Sequence, residues 1–197
     1  DAHTVDVNGK SYTAERIVIA TGSWPFVPDL PGKEYAITSN EIFHLEHLPS
    51  EAIVVGGGYI AVEMAGILSG LGVKTKLVYR GDMFLRGFDE EVRHFVKDEM
   101  IKKGVVLQFN DNISAIKKVI DPYHDLAYQI TFESGDMHET GLVLYATGRT
   151  PHIQNLGLEN VDVTLNKRGE IHVDENFQTS ENSIYALGDV TGGMQLT

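Results

Sequence analysis

A chain of 197 residues, 42% hydrophobic and 22% charged, is long enough to bury a core and too apolar to stay disordered. Its 16 basic residues stand against 28 acidic ones, a formal charge of −12, and that balance argues against nucleic acid as the main partner, because phosphate backbones are held by a positive field. With no cysteine there is no disulfide framework, thiolate metal site or CxxC redox pair.

No apolar run approaches the roughly 18–20 residues of a membrane-spanning helix. The start, Asp1-Ala2-His3-Thr4, has neither the basic nor the apolar region of a signal peptide. The chain opens without Met and stops at Gln195-Leu196-Thr197, so a segment of a longer protein is expected. His44 and His47 share a helical spacing but have no third ligand nearby, and they read as solvated surface histidines.

Thr4–Val7 and Ser11–Thr13 flank Asn8-Gly9, a two-residue hairpin signal. Arg16-Ile17-Val18-Ile19-Ala20 is a short strand running into Thr21-Gly22, and Pro25, Pro28 and Pro31 then mark an extended connection. Ser39-Asn40-Glu41 followed by Ile42, Phe43, Leu45 and Leu48 predicts a short helix ending at Pro49. From there strand and helix alternate, the signature of a parallel α/β layer. Ala52–Val55 is a buried strand. Tyr59–Leu71 is a helix with Ile60, Met64, Ile67, Leu68 and Leu71 near one face, closed by Gly72. Val73–Tyr79 is a second strand. Asp89 caps a second helix whose Glu90 and Glu91 suit its positive end and whose Lys102 and Lys103 suit its negative end. Val105–Phe109 is a third strand.

The rhythm then turns antiparallel, with Ile113–Val119, Tyr128–Phe132 and, after a turn at Ser134-Gly135, Met137–Thr140. Leu142–Tyr145 is an apolar strand ending at Ala146-Thr147-Gly148, and Glu170–Val173 and Ser183–Ala186 read as two further short strands.

Gly56-Gly57-Gly58-Tyr59-Ile60-Ala61 directly follows an apolar strand and opens a helix, the context in which a GxGxxG-type match gains physical meaning. Gly56 permits the tight turn, Gly58 lets a pyrophosphate approach the backbone amides, and Ala61 lets the helix pack closely on the sheet. The alternative is a glycine-rich loop kept for packing alone. An NAD site places an acidic residue near the end of the second strand; here Tyr79-Arg80 stands there, with Arg86 following. Arginines suit a 2′-phosphate through charge-assisted hydrogen bonds; the lesser alternative is that both are solvated surface charges. Asp82 lies past the usual acidic slot. Two turns with the same Ala-Thr-Gly, at residues 20–22 and 146–148, bracket this unit and suggest where the chain enters and leaves an inserted domain. Asp189, at the end of Tyr185-Ala186-Leu187-Gly188-Asp189, offers a carboxylate to sugar or ribityl hydroxyls, or simply forms a turn.

Taken together, these residues resemble the class I pyridine nucleotide-disulfide oxidoreductases, most closely the glutathione reductase group. The likeness is carried by Gly58-Tyr59-Ile60-Ala61-Val62-Glu63-Met64-Ala65-Gly66-Ile67-Leu68 and by Tyr79-Arg80-Gly81-Asp82-Met83-Phe84-Leu85-Arg86-Gly87-Phe88-Asp89, the latter also similar to trypanothione reductases. The resemblance implies an α/β fold in which a Rossmann-like NADPH-binding domain, a parallel sheet with an antiparallel β-meander, occupies 23–149. Residues 1–22 and 150–197 are then parts of an FAD-binding domain. It implies that Gly56, Gly57, Gly58, Tyr59, Ile60 and Glu63 surround the pyrophosphate and nicotinamide of NADPH. Arg80 and Arg86 hold its 2′-phosphate, while Gly148 and Arg149 line the same cleft. Tyr59 gates the nicotinamide, Glu63 pairs with a lysine beside the flavin, and Thr21, Gly22, Asp189 and Thr197 contact FAD.

The family's redox cysteines, its first FAD fingerprint and its His-Glu pair have no counterpart in this sequence. The chain by itself is therefore expected to be inactive, as the NADPH-docking part of an enzyme passing electrons from NADPH through FAD and a cysteine pair to glutathione disulfide. Trypanothione or another low-molecular-weight disulfide is the neighbouring alternative, and a stand-alone NADPH-binding module the alternative from another class. The resemblance also implies a homodimeric, cytoplasmic enzyme without membrane or nucleic-acid partners.

Overall fold

The computed structural model describes residues 1–119 and 128–193. The chain folds into two compact units, Pro25–Gly148 and, flanking it in sequence, Asp1–Trp24 with the described residues from Arg149 onward. In chain order the strands are β1 (Thr4–Val7), β2 (Lys10–Thr13), β3 (Ile17–Ile19), β4 (Ser23–Pro25), β5 (Glu51–Val55), β6 (Lys74–Tyr79), β7 (Val106–Phe109), β8 (Ile113–Lys118), β9 (Tyr128–Phe132), β10 (Met137–Thr140), β11 (Leu142–Tyr145), β12 (Arg149–Pro151) and β13 (Ile184–Ala186). Two α-helices, α1 (Tyr59–Gly70) and α2 (Glu90–Lys102), follow β5 and β6.

In the Pro25–Gly148 unit, four strands form a parallel sheet in the order β11-β5-β6-β7. The two inner strands show why the sheet is covered on both sides. Along β5, Ala52 and Val54 face one core with Ala61, Met64, Ala65 and Leu68 of α1, while Ile53 and Val55 face another. This is the two-residue alternation of a strand buried on both faces. The second face is closed by the antiparallel meander β10-β9-β8, whose Ile113, Ile116, Ile130 and Phe132 pack there with Val143 and Tyr145.

Helix α1 buries the i, i+3, i+4, i+7 stripe Ala61, Met64, Ala65 and Leu68. Ile67 and Leu71, expected on that face, are 49% and 60% exposed; two alanines draw the helix onto the sheet and leave a contact stripe too narrow for them. Helix α2 begins as its sequence predicts, the Asp89 Oδ1 accepting from the N–H groups of Glu91 at 2.9 Å and Val92 at 3.2 Å. The helix expected after Ser39 contracts to one 3-10 turn, Ile42–His44. The Glu41 carboxylate accepts from the Thr38 N–H and hydroxyl at 2.8 and 2.7 Å, a capping-type contact at the start of this turn.

In the other unit, β1 and β2 pair as a hairpin in the register Val7–Lys10 to Thr4–Thr13. Asn8 at φ 51° and Gly9 at φ 79° supply the two left-handed positions that a type I′ turn requires. β3 pairs in parallel with β13 over a small core of Ile19, Ile171, Ile184, Ala186 and Val190. The strand expected at Glu170–Val173 is reduced to an isolated bridge between Leu165 and Ile171. There the Asn166 Oδ1 holds a turn by accepting from the Arg168 and Glu170 N–H groups at 2.8 and 3.2 Å. The Pro-rich passage opens with a strand of its own, β4, which pairs with β12. No helix among the described residues is long and apolar enough to cross a membrane.

Candidate functional site

The glycine turn sits where β5 runs into α1. The Gly56 N–H donates to the Val78 carbonyl at 2.9 Å, and at φ 144° a Cβ on Gly56 would lie 2.2 Å from the Ala146 carbonyl oxygen. Gly57 is constrained differently: a Cβ there would meet the Tyr79 ring at 2.3 Å. That ring lies between Gly57 and Gly81, where a second Cβ would approach it to 2.7 Å. Gly58 caps α1 in extended backbone with no side-chain cap, and the direction its Cβ would take is open. The first-turn amides of α1 therefore face accessible space with the positive end of a twelve-residue helix behind them, an arrangement suited to a phosphate or pyrophosphate. Tyr59 and Ile60 are half-buried against the α1 core, and Glu63 is exposed without a polar partner among the described residues.

The loop from β6 to α2 is pinned from several directions. Phe84 and Leu85 are buried, and Phe84 packs on Phe109 with ring centroids 5.7 Å apart. The Leu85 N–H donates to the Gly57 carbonyl at 2.6 Å, joining loop to glycine turn. Leu85 takes φ 55° to do so, an uncommon conformation for a bulky residue. The Asn110 N–H donates to the Gly81 carbonyl at 3.0 Å. Next to it, the Asp111 carboxylate accepts from the Gln108 side chain at 2.7 Å and from the Asn112 and Ser134 N–H groups at 2.8 and 3.2 Å. Burial alone would raise the Asp111 pKa, but hydrogen bonds from Ser134, Asn112 and Gln108 outweigh it and hold the carboxyl below its ordinary range.

From this fixed loop Arg80 and Arg86 project into solvent. Neither guanidinium has a hydrogen-bond or ion-pair partner among the described residues. Two uncommitted cations beside an uncapped helix terminus fit the donor set that a dinucleotide with an added phosphate requires. Gly148 closes β11, its carbonyl accepting from the Phe26 N–H at 2.9 Å while the Thr147 hydroxyl donates to the Phe26 carbonyl at 2.8 Å.

Arg149 belongs to the other unit. Its Nε donates to the Ser23 hydroxyl at 2.7 Å and its Nη2 to the Ser23 carbonyl at 2.6 Å. Because a guanidinium only donates, the Ser23 proton is free to point at the Asp189 Oδ2, 2.8 Å away. One Asp189 oxygen is thereby fixed, and the other has no partner among the described residues. That leaves an acceptor suited to a sugar or ribityl hydroxyl. In the same unit the Thr21 hydroxyl donates to the His152 carbonyl at 2.7 Å, and the Gly22 carbonyl accepts from the His152 N–H at 2.9 Å. Thr197 lies outside the described residues.

Sequence reasoning did not single out Tyr79, Leu85, Arg93 or Ser23. Arg93 had a readable signal: a cation in the first turn of α2 opposes the helix dipole, so another partner had to hold it there.

The profile described as pyridine nucleotide-disulphide oxidoreductase matches residues 1–197. The glutathione reductase, chloroplastic/mitochondrial, of Pisum sativum is 45% identical over 197 residues, covering 100% of this chain and 35% of that protein. The trypanothione reductase of Trypanosoma congolense is 43% identical over 187 residues, covering 93% and 37%. Among solved structures, the HOCl-induced flavoprotein disulfide reductase RclA from Escherichia coli superposes with a TM-score of 0.91 at 29% identity, covering 99% of this chain and 44% of that one. The chain thus spans well under half the length of these relatives.

Proposed function

The chain belongs to the pyridine nucleotide-disulphide oxidoreductase family, and from that membership we propose that it is the NADPH-docking part of an FAD-dependent reductase of glutathione disulfide. NADPH and FAD are the cofactors consistent with this family. The observation that carries the reading is the pair Arg80 and Arg86, without partners among the described residues, on a loop tied to the glycine turn by the 2.6 Å bond from the Leu85 N–H to the Gly57 carbonyl.

NADPH, when bound, supplies the hydride that a flavin accepts. The chain's own contribution is binding and orientation. The open side of Gly58 and the first-turn amides of α1 receive the pyrophosphate, while Arg80 and Arg86 hold the 2′-phosphate. Tyr59 and Ile60, at the start of α1, shape the path toward the nicotinamide. On the flavin side, Asp189 accepts from a ribityl hydroxyl through the oxygen that Ser23 leaves unoccupied. Support for glutathione as the disulfide comes from the 45% identity to the pea protein.

The test uses the full-length protein. Replacing Arg80→Gln and Arg86→Gln together removes two charge-assisted contacts worth about 1.5 kcal/mol each. NADPH should weaken by on the order of 100-fold while NADH changes by less than about threefold. Equal loss for both cofactors refutes the 2′-phosphate role. Faster turnover with trypanothione disulfide than with glutathione disulfide would overturn the substrate.

A further inference from the structure

The geometry points to Arg93 as a positioning residue that sets the preference for a 2′-phosphorylated cofactor without touching it. This rests on the reading of Arg80 and Arg86 given above. Arg93 lies in the first turn of α2, and its guanidinium reaches back across the β6–α2 loop. Its Nε donates to the Phe84 carbonyl at 2.8 Å and its Nη2 to the Met83 carbonyl at 2.9 Å. Two adjacent donors on two successive carbonyls form a planar fork that a lysine cannot reproduce.

The loop has two kinds of restraint. The buried Phe84 and Leu85 side chains, with the bond from the Leu85 N–H to the Gly57 carbonyl, secure its inner wall. The Leu85 N–H shares a peptide plane with the Phe84 carbonyl, so its bond to Gly57 helps orient that plane, while the Met83 carbonyl is held by Arg93. Arg93 thus holds the Met83 plane and shares the Phe84 plane with Gly57, and the segment they lead into turns through Leu85 at φ 55° to Arg86 and then Gly87 at φ 97°. Backbone at left-handed positions persists only when its surroundings determine it. The fork therefore transmits the rigid start of α2, itself capped by Asp89, to the base of the Arg86 side chain. With Nε and Nη2 turned onto loop carbonyls, Arg93 acts through where Arg86 stands.

Beside the Leu85–Gly57 bond, the glycine turn has anchors that the fork does not touch. Gly56 is bonded to Val78, and Gly57 lies against Tyr79. Loss of Arg93 should consequently damage recognition of the 2′-phosphate while sparing what NADH and NADPH share.

In the full-length protein, Arg93→Met and Arg93→Lys should each weaken NADPH by on the order of tenfold, the loss of about one well-made hydrogen bond's net contribution. NADH should weaken by less than about threefold in both variants. The fragment 2′,5′-ADP, which carries the phosphate without the nicotinamide, should weaken with NADPH, and 5′-AMP should not. A merely structural role would lower both cofactors together, and that outcome overturns the inference. So does an Arg93→Lys variant with unchanged NADPH affinity, since charge alone would then suffice. If the unmodified protein binds NADPH and NADH equally, the 2′-phosphate reading fails and this inference fails with it. If it prefers NADPH and both variants keep that preference, only the role of Arg93 fails.

Discussion

Gly56 and Gly58 occupy the same turn and should respond in opposite ways to the same added methyl. At Gly56 the backbone stands at φ 144° and the new Cβ would lie 2.2 Å from the Ala146 carbonyl oxygen and 2.7 Å from its carbon. Ala146 is itself tied to β5, its N–H donating to the Val55 carbonyl at 2.7 Å. Overpacking costs about 1–3 kcal/mol and a side chain in that conformation about as much again, so Gly56→Ala should lose about 4 kcal/mol. At Gly58 the backbone is extended, φ −90° and ψ 177°, and the Cβ would find nothing within 4 Å. Gly58→Ala should cost about 0.5 kcal/mol or less from the weaker N-cap, yet its methyl enters the space proposed for the pyrophosphate. Urea denaturation of both variants reads the first effect, and NADPH titration of the folded Gly58→Ala protein reads the second, where an affinity loss of on the order of tenfold or more is expected. Equal stability losses in the two variants would refute the packing argument. Undiminished NADPH binding by Gly58→Ala would refute the placement of the pyrophosphate.

Two further expectations concern buried polar groups. The Tyr145 hydroxyl is buried with no hydrogen-bond partner among the described residues, so Tyr145→Phe should raise stability by about 1 kcal/mol, and a loss in urea denaturation would show the hydroxyl to be satisfied. Burial pushes the Tyr145 phenol up to about 12. An unfolded chain ionises it first near pH 10, so the native protein should lose stability as pH rises from about 10 to about 12, and the Phe variant should lack that contribution. Asp111 works in the other direction: its depressed pKa means that stability present above the ordinary carboxyl range is lost as pH falls through the folded value. Asp111→Ala should cost about 2 kcal/mol by orphaning the Asn112 and Ser134 N–H groups, and its denaturation midpoint should lose this acid sensitivity.

The parts of the fold legible in the sequence are those governed by short-range rules. The Asn8-Gly9 hairpin, the Asp89 cap and the Gly56–Ala61 turn each follow from a few adjacent residues, and the structure forms all three. What escaped was set by distant neighbours. β4 is a strand only because β12 lies beside it, a partner more than a hundred residues away. The exposure of Ile67 and Leu71 follows from how closely Ala61 and Ala65 bring α1 to the sheet, which the helical period alone does not express. Within the site, Arg80 and Arg86 could be picked out by spacing, while the clamp of Tyr79 between Gly57 and Gly81 arises only when β5 and β6 are in register.

Three lysines, Lys33, Lys74 and Lys102, pair with Asp29, Glu51 and Glu99, while the exposed Lys103, Lys167 and Arg168 have no ion pair among the described residues. Arg93 and Arg149 are committed instead to loop carbonyls and to Ser23. Among the described residues Arg80 and Arg86 form neither kind of bond, although Asp82 lies two residues from one of them. Screening at physiological salt confines each charge to about 8 Å, so the net charge of −12 repels a polyanion spread over the surface. It does little to a single phosphate ester, the ligand proposed for Arg80 and Arg86. The loop that carries them is braced from the sheet, the glycine turn and α2, so under the proposed reading a phosphate would not have to break an ion pair seen among the described residues.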